Sequence, residues 1–406
     1  MTEYSLHYLT GKQEPIHLND KPISQGADGA IFICKGKQLA VKLYHDANKD
    51  ETRQQKIWQM IKHSPQQDTK ADFAWPIAVV ANSKGSFLGY AMPLINMQQH
   101  TELENILTFK LRQHLKLSHQ PSLRLKAAIS LANRVASLHQ AGHYIIDLKP
   151  INLTLNKETG AITVLDCDGF AISSRHQFFP AHQFTAGYIA PEAFSQNTGP
   201  DQLDLKQDLF ALAVIIFQLI NNGIHPFQGV PAQGVQLPTD NQARIAEGLF
   251  AYHLDKHPLI NPSPWSVHHD FPDELTAAFA QSLISTDRLD AKQWEKLLTK
   301  HAMSYRICTE NTEHEYWGNR CPWCQLNQAR QAQIRIQSLK INRSKPRVHI
   351  KTSAIVTSTT NVNPAIQQGP YFPHVSWLTI ILVNIMIFVL FISGATWIGE
   401  HLLKNG

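Results

Sequence analysis

Residues 144–156 read YIIDLKPINLTLN, and LDCDGF follows at residues 165–170. Asp147, Lys149 and Asn152 lie inside an otherwise apolar run. A buried strand would not carry so many charges, because an unpaired carboxylate in an apolar interior costs several kcal/mol or more. Two interpretations remain at this point: a solvated loop between two strands, or a loop that binds a metal ion and a phosphate group.

Two short strands are predicted directly after these residues. LTLN and AITVL flank the turn KETG, and such a hairpin would bring Asn152 to the same end as Asp166, which lies 14 residues further along. Both side chains offer oxygen ligands, which Mg²⁺ (or Mn²⁺) prefers together with substrate phosphates. Asp147 would be free to accept a proton from an incoming hydroxyl, and Lys149 would neutralise charge on a moving phosphoryl group. The pattern therefore predicts a phosphoryl-transfer site.

Length, charge and the N-terminus limit the class of protein. The chain has 406 residues, which indicates two or three structural units. Its N-terminus lacks a basic segment followed by an apolar run, so we expect no signal peptide. The formal net charge is +5, and residues 326–351 carry seven Lys or Arg without any Asp or Glu. The basic character therefore belongs to a linker, and we expect no nucleic-acid partner.

Changes in composition divide the chain into segments. Short β-like runs alternate with turns in the first quarter, and apolar residues then recur at helical spacing. The predicted segments are an N-terminal segment (1–19), one domain (20–300) with a β-rich part (20–95) and a helical part (96–300), a Cys/His module (301–328), a basic flexible linker (329–374), an apolar segment (375–399) and a short tail (400–406).

The apolar segment VSWLTIILVNIMIFVLFISGATWIG, residues 375–399, contains no charged residue. About 20 apolar residues suffice to cross the hydrocarbon core as a helix. Trp377 and Trp397 lie near its ends, where amphipathic rings favour the membrane interface. A buried core helix is the alternative, but such helices usually show a polar stripe. We therefore expect a single transmembrane helix, and the basic linker before it places residues 1–374 in the cytoplasm.

A cluster of metal-ligand residue types precedes the linker. CTENTEHEYWGNRCPWC contains Cys308, His314, Cys321 and Cys324 with the spacing C-x5-H-x6-C-x2-C. Three thiolates and one imidazole would complete a closed tetrahedral site, which suits structural zinc. A redox pair formed by CPWC is an alternative, as are cysteines that only pack in a core.

Several motifs resemble those of eukaryotic-like Ser/Thr protein kinases, in the right order over residues 20–300. DLKPIN resembles the catalytic loop, QGADGAIF (25–32) a shortened Gly-rich loop with Gly26 and Gly29, and LAVKLY the strand whose lysine, here Lys42, contacts the α- and β-phosphates of ATP. TAGYIAPE (185–192) is similar to the end of an activation segment. The resemblance implies an α+β, two-lobed kinase-like fold, followed here by the zinc-binding module and the transmembrane helix.

Two further contacts follow from the same resemblance. The helix that begins DLKQDLF would place Asp208 against the catalytic loop, where it braces the backbone. STDRLDAKQWEKLL would end the helical lobe, and its Arg288 would pair with Glu192.

The chain also departs from the kinase pattern. Ile145 and Ile146 replace the His-Arg pair before the catalytic aspartate, so control by phosphorylation of the activation loop is not expected. The Asp-Phe-Gly position reads Asp-Cys-Asp, and we expect the additional Asp168 to be a further metal ligand, since two close carboxylates favour a bound cation. The resemblance implies a helix glutamate that pairs with Lys42, and Glu51 is the candidate.

The Asp-x-Asp sequence and CPWC resemble a bacterial branch of kinase-like proteins. That resemblance implies a PP2C-type phosphatase and a von Willebrand A-type protein as partners, and the predicted anchor places the chain in the cell inner membrane. The leading hypothesis is thus a membrane-anchored Ser/Thr protein kinase that uses ATP, Mg²⁺ and a structural zinc ion, in bacterial signalling or stress response.

Two alternatives stay open. A small-molecule kinase shares the catalytic Asp and Asn but typically carries His in place of Lys149 and lacks an Ala-Pro-Glu segment, so Lys149 and residues 190–192 favour a protein substrate. A pseudokinase scaffold that recruits partners to the membrane would explain the missing His-Arg pair.

Overall fold

The computed structural model describes residues 4–343 except 48–51, 66–71, 175–176, 197 and 254. The described residues up to Asn342 belong to one compact unit. This unit carries the fold described below.

The described residues of the N-terminal lobe form seven strands and one helix. In chain order they are β1 (Tyr4–His7), β2 (Gln13–Ile16), β3 (Ser24–Gln25), β4 (Gly29–Ile33), β5 (Leu39–Tyr44), α1 (Arg53–Lys62), β6 (Ala78–Asn82) and β7 (Phe87–Pro93). The strands make one sheet in the order β2-β1-β6-β7-β5-β4-β3, with antiparallel pairs throughout. The N-terminal segment 1–19 therefore extends this sheet past β6.

Alternation along β5 decides which side chains face the site. Successive side chains of a strand point to opposite faces of the sheet. Val41 is buried with β1 and β2 on one face, whereas Ala40 and Tyr44 belong to the main core on the other. Lys42 shares that second face, and the register of β5 with β7 places Tyr90 directly opposite it.

The second lobe is mainly helical. Its elements are β8 (His100–Glu102), α2 (Leu103–Leu107), α3 (Phe109–His114), α4 (Pro121–Gln140), β9 (Leu153–Asn156), β10 (Ile162–Val164), β11 (Ile172–Ser173), β12 (Phe178–Phe179), α5 (Pro191–Ser195), α6 (Leu205–Ile220), β13 (Gly229–Pro231), α7 (Asn241–Ala246), β14 (Ile260–Pro262), α8 (Asp273–Ile284) and α9 (Ala291–Ala302). Strands β8, β9 and β10 form a small antiparallel sheet, which confirms the predicted hairpin after the catalytic loop.

Helix α6 is the centre of this lobe. From Gln207 to Ile220 every residue is buried, as expected for a helix that is apolar on all sides. The Asp204 side chain caps its first turn by accepting a hydrogen bond from the amide of Lys206 at 2.8 Å. Helices α4 and α8 pack against α6, and α9 packs against α4. The predicted two-lobed α+β architecture is confirmed.

The Cys/His module packs on the helical lobe within the same compact unit. It consists of β15 (Arg306–Ile307), β16 (Glu315–Tyr316) and α10 (Pro322–Arg343). The carboxylate of Asp270 accepts hydrogen bonds from the amides of Trp317 and Gly318 at 2.9 and 2.7 Å. The Glu315 carboxylate accepts one from the amide of Ser122, in the first turn of α4, at 2.6 Å. The module is therefore fixed to the start of α4 and to the segment before α8.

The predicted transmembrane segment 375–399 lies outside the described residues, as do residues 344–374 of the predicted flexible linker. Residues 329–343 of that linker instead continue helix α10, so the linker was predicted to begin too early. Among the helices that the structure does describe, none combines the length and apolar character needed to cross a membrane.

Candidate active site

The predicted catalytic loop leaves α4 and is held by a buried carboxylate. Asp208 of α6 is fully buried and accepts hydrogen bonds from the amides of Ile145 and Ile146 at 2.7 and 2.6 Å. Its Oδ2 atom also lies 2.9 Å from Nε2 of His139, in the last turn of α4. Ile146 has φ of +63°, a left-handed conformation that β-branched residues rarely adopt. Asp208 thus braces a strained backbone, as the sequence predicts.

Two side chains fix the carboxylate of Asp147. Lys149 Nζ donates to Oδ2 at 2.6 Å, and the Thr185 hydroxyl donates to Oδ1 at 2.7 Å. Lys149 Nζ also donates to Thr185 Oγ1 at 2.8 Å, which closes a triangle of three polar groups. Asp147 is 8 % exposed, so its orientation depends on these partners. No sequence pattern predicts this role for Thr185, although it is the first residue of the TAGYIAPE stretch.

The hairpin brings the two predicted metal ligands together. The amide of Leu165 donates to the carbonyl of Asn152 at 2.8 Å, so Asp166 follows directly beyond that contact. The Asn152 Nδ2 atom donates to the carbonyl of Asp147 at 3.1 Å, so this hydrogen bond does not use the amide oxygen. Asp166 has φ of +53°, and its side chain is 40 % exposed. An amide oxygen and an accessible carboxylate are a donor set that fits Mg²⁺ or Mn²⁺.

Lys42 reaches from the N-terminal lobe to both acids of the Asp-Cys-Asp turn. Its Nζ atom lies 3.0 Å from Asp166 Oδ1 and 2.8 Å from each oxygen of Asp168. The hydroxyls of Tyr44 and Tyr90 donate to Asp168 at 2.9 and 2.8 Å. Asp168 was expected to be a metal ligand, yet the cation beside it here is the Lys42 ammonium.

Burial and the neighbouring charges shift the pKa of Asp168, Lys42, Tyr44 and Tyr90. Burial opposes the charged form of Asp168, but the positive charge of Lys42 and the donated hydrogen bonds outweigh it and hold the carboxyl pKa below its usual range. Burial likewise lowers the pKa of Lys42, and the charges of Asp168 and Asp166 raise it above the ordinary lysine value. Burial beside the Asp168 charge raises the pKa of Tyr44 and Tyr90, so both phenols stay protonated donors.

The two glycines of the Gly-rich turn between β3 and β4 differ in the space around them. A Cβ at Gly29 would clash with the carbonyl oxygen of Leu43, so this glycine is explained by the close pairing of β4 and β5. Gly26 donates its amide to the carbonyl of Gly29 at 2.9 Å, and a Cβ there would meet no atom within 4 Å. Only Gly26 therefore leaves open space where a phosphate group would approach the backbone.

The predicted helix partner of Lys42, Glu51, lies outside the described residues. Helix α1 itself, RQQKIWQMIK, contains no acidic residue. Lys56 and Ile57 of α1 instead line a cavity of about 80 Å³ together with Lys42 and the two acids of the turn. The sequence of α1 therefore offers no carboxylate that could pair with Lys42.

The end of the activation segment is tied to the helical lobe by a buried ion pair. Arg288 contacts Glu192 through both terminal nitrogens, one of them at 2.8 Å. The Arg288 side chain is 1 % exposed. The predicted pairing of these two residues is confirmed.

Ligand atoms of the Cys/His cluster converge as the sequence predicts. The atoms offered by Cys308, His314, Cys321 and Cys324 all lie within 4.8 Å of one another. Cys308 Sγ is 3.6 Å from Cys324 Sγ, and His314 Nδ1 is 3.5 and 3.4 Å from the sulfurs of Cys321 and Cys324. Zinc–sulfur bonds of about 2.3 Å in a tetrahedron put two sulfurs about 3.8 Å apart. The four residues therefore fit a zinc ion.

Comparisons with known proteins agree with this geometry. The family model described as protein kinase domain matches residues 19–288. The chain is similar to Protein kinase YegI of Escherichia coli O157:H7, with 26% identity over 327 residues that cover 76% of this chain and 48% of the relative. The K12 strain protein of that name is 25% identical over the same coverage. Serine/threonine-protein kinase ksp1 of Schizosaccharomyces pombe is 30% identical over 106 residues, 25% of this chain and 22% of that protein.

The chain spans about half the length of the YegI relatives that it matches. The family match covers both lobes and includes Lys42, Asp147, Asn152 and Asp166, and membership of this family implies ATP and Mg²⁺ as cofactors. The chain belongs to the protein kinase domain family.

Proposed function

We propose that the chain is an active Ser/Thr protein kinase that transfers the γ-phosphoryl group of ATP to a protein substrate. The observation that carries this proposal is the fixed Asp147 carboxylate, held by Lys149 and Thr185 at 2.6 and 2.7 Å on the loop that also carries Asn152.

The proposed reaction assigns one task to each residue. The substrate hydroxyl oxygen bonds to the γ-phosphorus, the bond from that phosphorus to the bridging oxygen breaks, and ADP leaves. Asp147 accepts the hydroxyl proton, and Lys149 stabilises negative charge on the transferred group. Lys42 aligns the α- and β-phosphates. Asn152 and Asp166 would hold Mg²⁺, which neutralises phosphate charge when it is bound.

The acceptor class is proposed from the chain's own threonine. Thr185 already places an aliphatic hydroxyl 2.7 Å from Asp147, within reach of a general base. A Ser or Thr side chain of a substrate has the same reach. The name of the fission yeast relative supports this acceptor class for the region that it shares with the chain.

Location and partners are proposed from sequence and resemblance. The uncharged run 375–399 supports a single-pass anchor in the inner membrane, with the kinase domain in the cytoplasm, where ATP is available. The resemblance to a bacterial kinase-like branch supports a PP2C-type phosphatase and a von Willebrand A-type protein as partners.

The Cys/His cluster is proposed to hold one structural zinc ion. All four ligand positions are filled by protein, so the ion would have no position for a substrate. Elemental analysis should find one zinc per chain, and Cys321→Ser should lower that content; zinc-free protein with an intact fold would refute the proposal.

Phosphoryl transfer is tested with the full chain in detergent, labelled ATP, Mg²⁺ and three acceptors: a generic phosphoprotein, choline and an aminoglycoside. We expect label on the protein acceptor and on no small molecule, and Asp147→Asn should abolish transfer. Label on choline or the aminoglycoside alone would identify a small-molecule kinase. Nucleotide binding without any transfer would identify a pseudokinase scaffold.

A further inference from the structure

Lys42 needs a carboxylate partner that α1 does not supply. In protein kinases an ion pair between the strand lysine and a helix glutamate must be in place for catalysis. The sequence of α1 contains Arg53, Lys56 and Lys62 but neither Asp nor Glu. An ammonium that is only 10 % exposed would be costly without a negative partner, because burial disfavours the charged form. Among the described residues, the carboxylates that contact Lys42 are those of Asp166 and Asp168.

Asp168 meets this need with both oxygens. Its Oδ1 atom accepts from Lys42 Nζ and the Tyr90 hydroxyl, each at 2.8 Å. Its Oδ2 atom accepts from Lys42 Nζ at 2.8 Å and from the Tyr44 hydroxyl at 2.9 Å. A carboxylate offers about four acceptor positions. These four contacts fill them, so no lone pair of Asp168 is left for a metal ion.

The carboxylates of Asp166 and Asp168 differ in exposure and in their contacts, which fits separate roles in metal binding and in holding Lys42. The Asp168 side chain is 10 % exposed, whereas that of Asp166 is 40 % exposed and makes a single contact of 3.0 Å with Lys42. Asp166 thus keeps acceptor positions open toward the cleft, beside Asn152. Asp168 faces the sheet of the N-terminal lobe, where Tyr44 and Tyr90 anchor it.

We propose that Asp168 is a positioning residue that replaces the helix glutamate of protein kinases in holding Lys42, and that the divalent-ion site uses Asn152 and Asp166 without it. This inference rests on the proposed kinase function. If Asp168 holds Lys42, the Asp-Cys-Asp turn fixes the position of both the phosphate-binding lysine and the metal ligand Asp166. Alignment of Lys42 then follows the position of the Asp-Cys-Asp turn, and movement of α1 does not break the ion pair.

The first test separates a positioning role from metal binding. Phosphorylation rates of the full chain are measured against ATP and against free Mg²⁺, with Asp166→Asn as the matched control. Asp168→Asn should lower kcat/KM for ATP by about 100-fold, the size expected when an aligning group is misplaced. Its half-saturating Mg²⁺ concentration should stay within about twofold of wild type, whereas Asp166→Asn should raise it at least about tenfold.

A double-mutant cycle adds a second criterion. If Asp168 acts through Lys42, the variant Lys42→Ala/Asp168→Asn should be no slower than Lys42→Ala alone, because the shared interaction is already lost. A Mg²⁺ requirement that rises in Asp168→Asn as in Asp166→Asn, or additive losses in the double variant, would overturn the inference.

The second test needs no phosphoryl transfer, so it stands even if the proposed function fails. Acylation of Lys42 by an amine-reactive ester at pH 8.5 is followed by mass spectrometry, with the exposed Lys296 as the reference. The Asp168 carboxylate accepts two of the hydrogen bonds that Lys42 Nζ donates, so its replacement should release the Lys42 amine toward the reagent. We expect Asp168→Asn to raise the Lys42 rate relative to Lys296 in protein that melts as one folded species. An unchanged ratio in such protein would refute the pairing itself.

Discussion

Replacement of Asp208 by Asn should weaken the hydrogen bonds that hold the catalytic loop and lower the stability of the fold. The carboxylate accepts from the amides of Ile145 and Ile146 at 2.7 and 2.6 Å and lies 2.9 Å from His139 Nε2, in a fully buried site. An asparagine retains one acceptor oxygen and turns an NH₂ group toward a backbone N–H. Hydrogen bonds to charged acceptors contribute about 1.5–3 kcal/mol each, and a buried unpaired donor costs about 1–3 kcal/mol. We expect the free energy of unfolding to fall by about 3–5 kcal/mol.

The same substitution should also release local strain. Ile146 at φ of +63° is held in a conformation that costs about 1–3 kcal/mol and persists only when its surroundings enforce it. Urea denaturation of the full chain measures the global loss, and hydrogen exchange of the peptide 144–152 measures loosening of the loop. Asp287→Asn, at an exposed position, is the matched control. A loss below about 1 kcal/mol, together with unchanged exchange in the loop, would contradict the bracing role of Asp208.

Three further predictions concern packing around the site. Glu192→Gln leaves the buried Arg288 charge without its partner and should lower the free energy of unfolding by about 3–5 kcal/mol in a urea titration; a change as small as that of an exposed residue would refute the buried pair. Gly318→Ala places a methyl group against the Asp270 carboxylate and should lower the melting temperature through loss of two backbone hydrogen bonds, unless the module is docked differently. Burial lowers the pKa of His225 to about 4, so the stability that its neutral form contributes above about pH 6.5 is lost as the pH falls. Between pH 7.5 and 5 this amounts to about 2 kcal/mol, and His225→Gln should flatten that part of the pH–stability curve.

The structural features that the sequence predicted correctly are those encoded in short, local patterns or in the order of motifs. The spacing from Asp147 to Asn152, and the hairpin that returns the chain to Asp166, need only the 2-residue period of strands and one turn. The brace by Asp208 and the pair formed by Arg288 with Glu192 required the order of motifs along the chain. Each of these contacts is found in the structure.

Contacts between distant elements were not predictable in the same way. Lys42 and Tyr44 share a face of β5 by simple alternation, but the approach of Tyr90 depends on the register between β5 and β7, and that of Asp168 on closure of the two lobes. The sequence also predicted that two close acids need a cation. It assigned that role at Asp168 to a metal ion, but a lysine satisfies the same electrostatic requirement, and Lys42 contacts both Asp168 oxygens in the structure. Thr185 was overlooked because a threonine carries no charge pattern of its own.

Helix α4 connects the Cys/His module to the catalytic loop. The Glu315 carboxylate accepts a hydrogen bond from the amide of Ser122 in the first turn of α4. A negative group at this end of a helix also interacts favourably with the helix dipole. At the other end of this 20-residue helix, His139 contacts Asp208, which holds the catalytic loop. A helix of this length is about 30 Å long, and its burial against α6 and α9 leaves it little freedom to bend. The Cys/His module therefore fixes one end of the element whose other end positions Asp147, so the module belongs to the architecture of the site although its ligands lie outside the cleft.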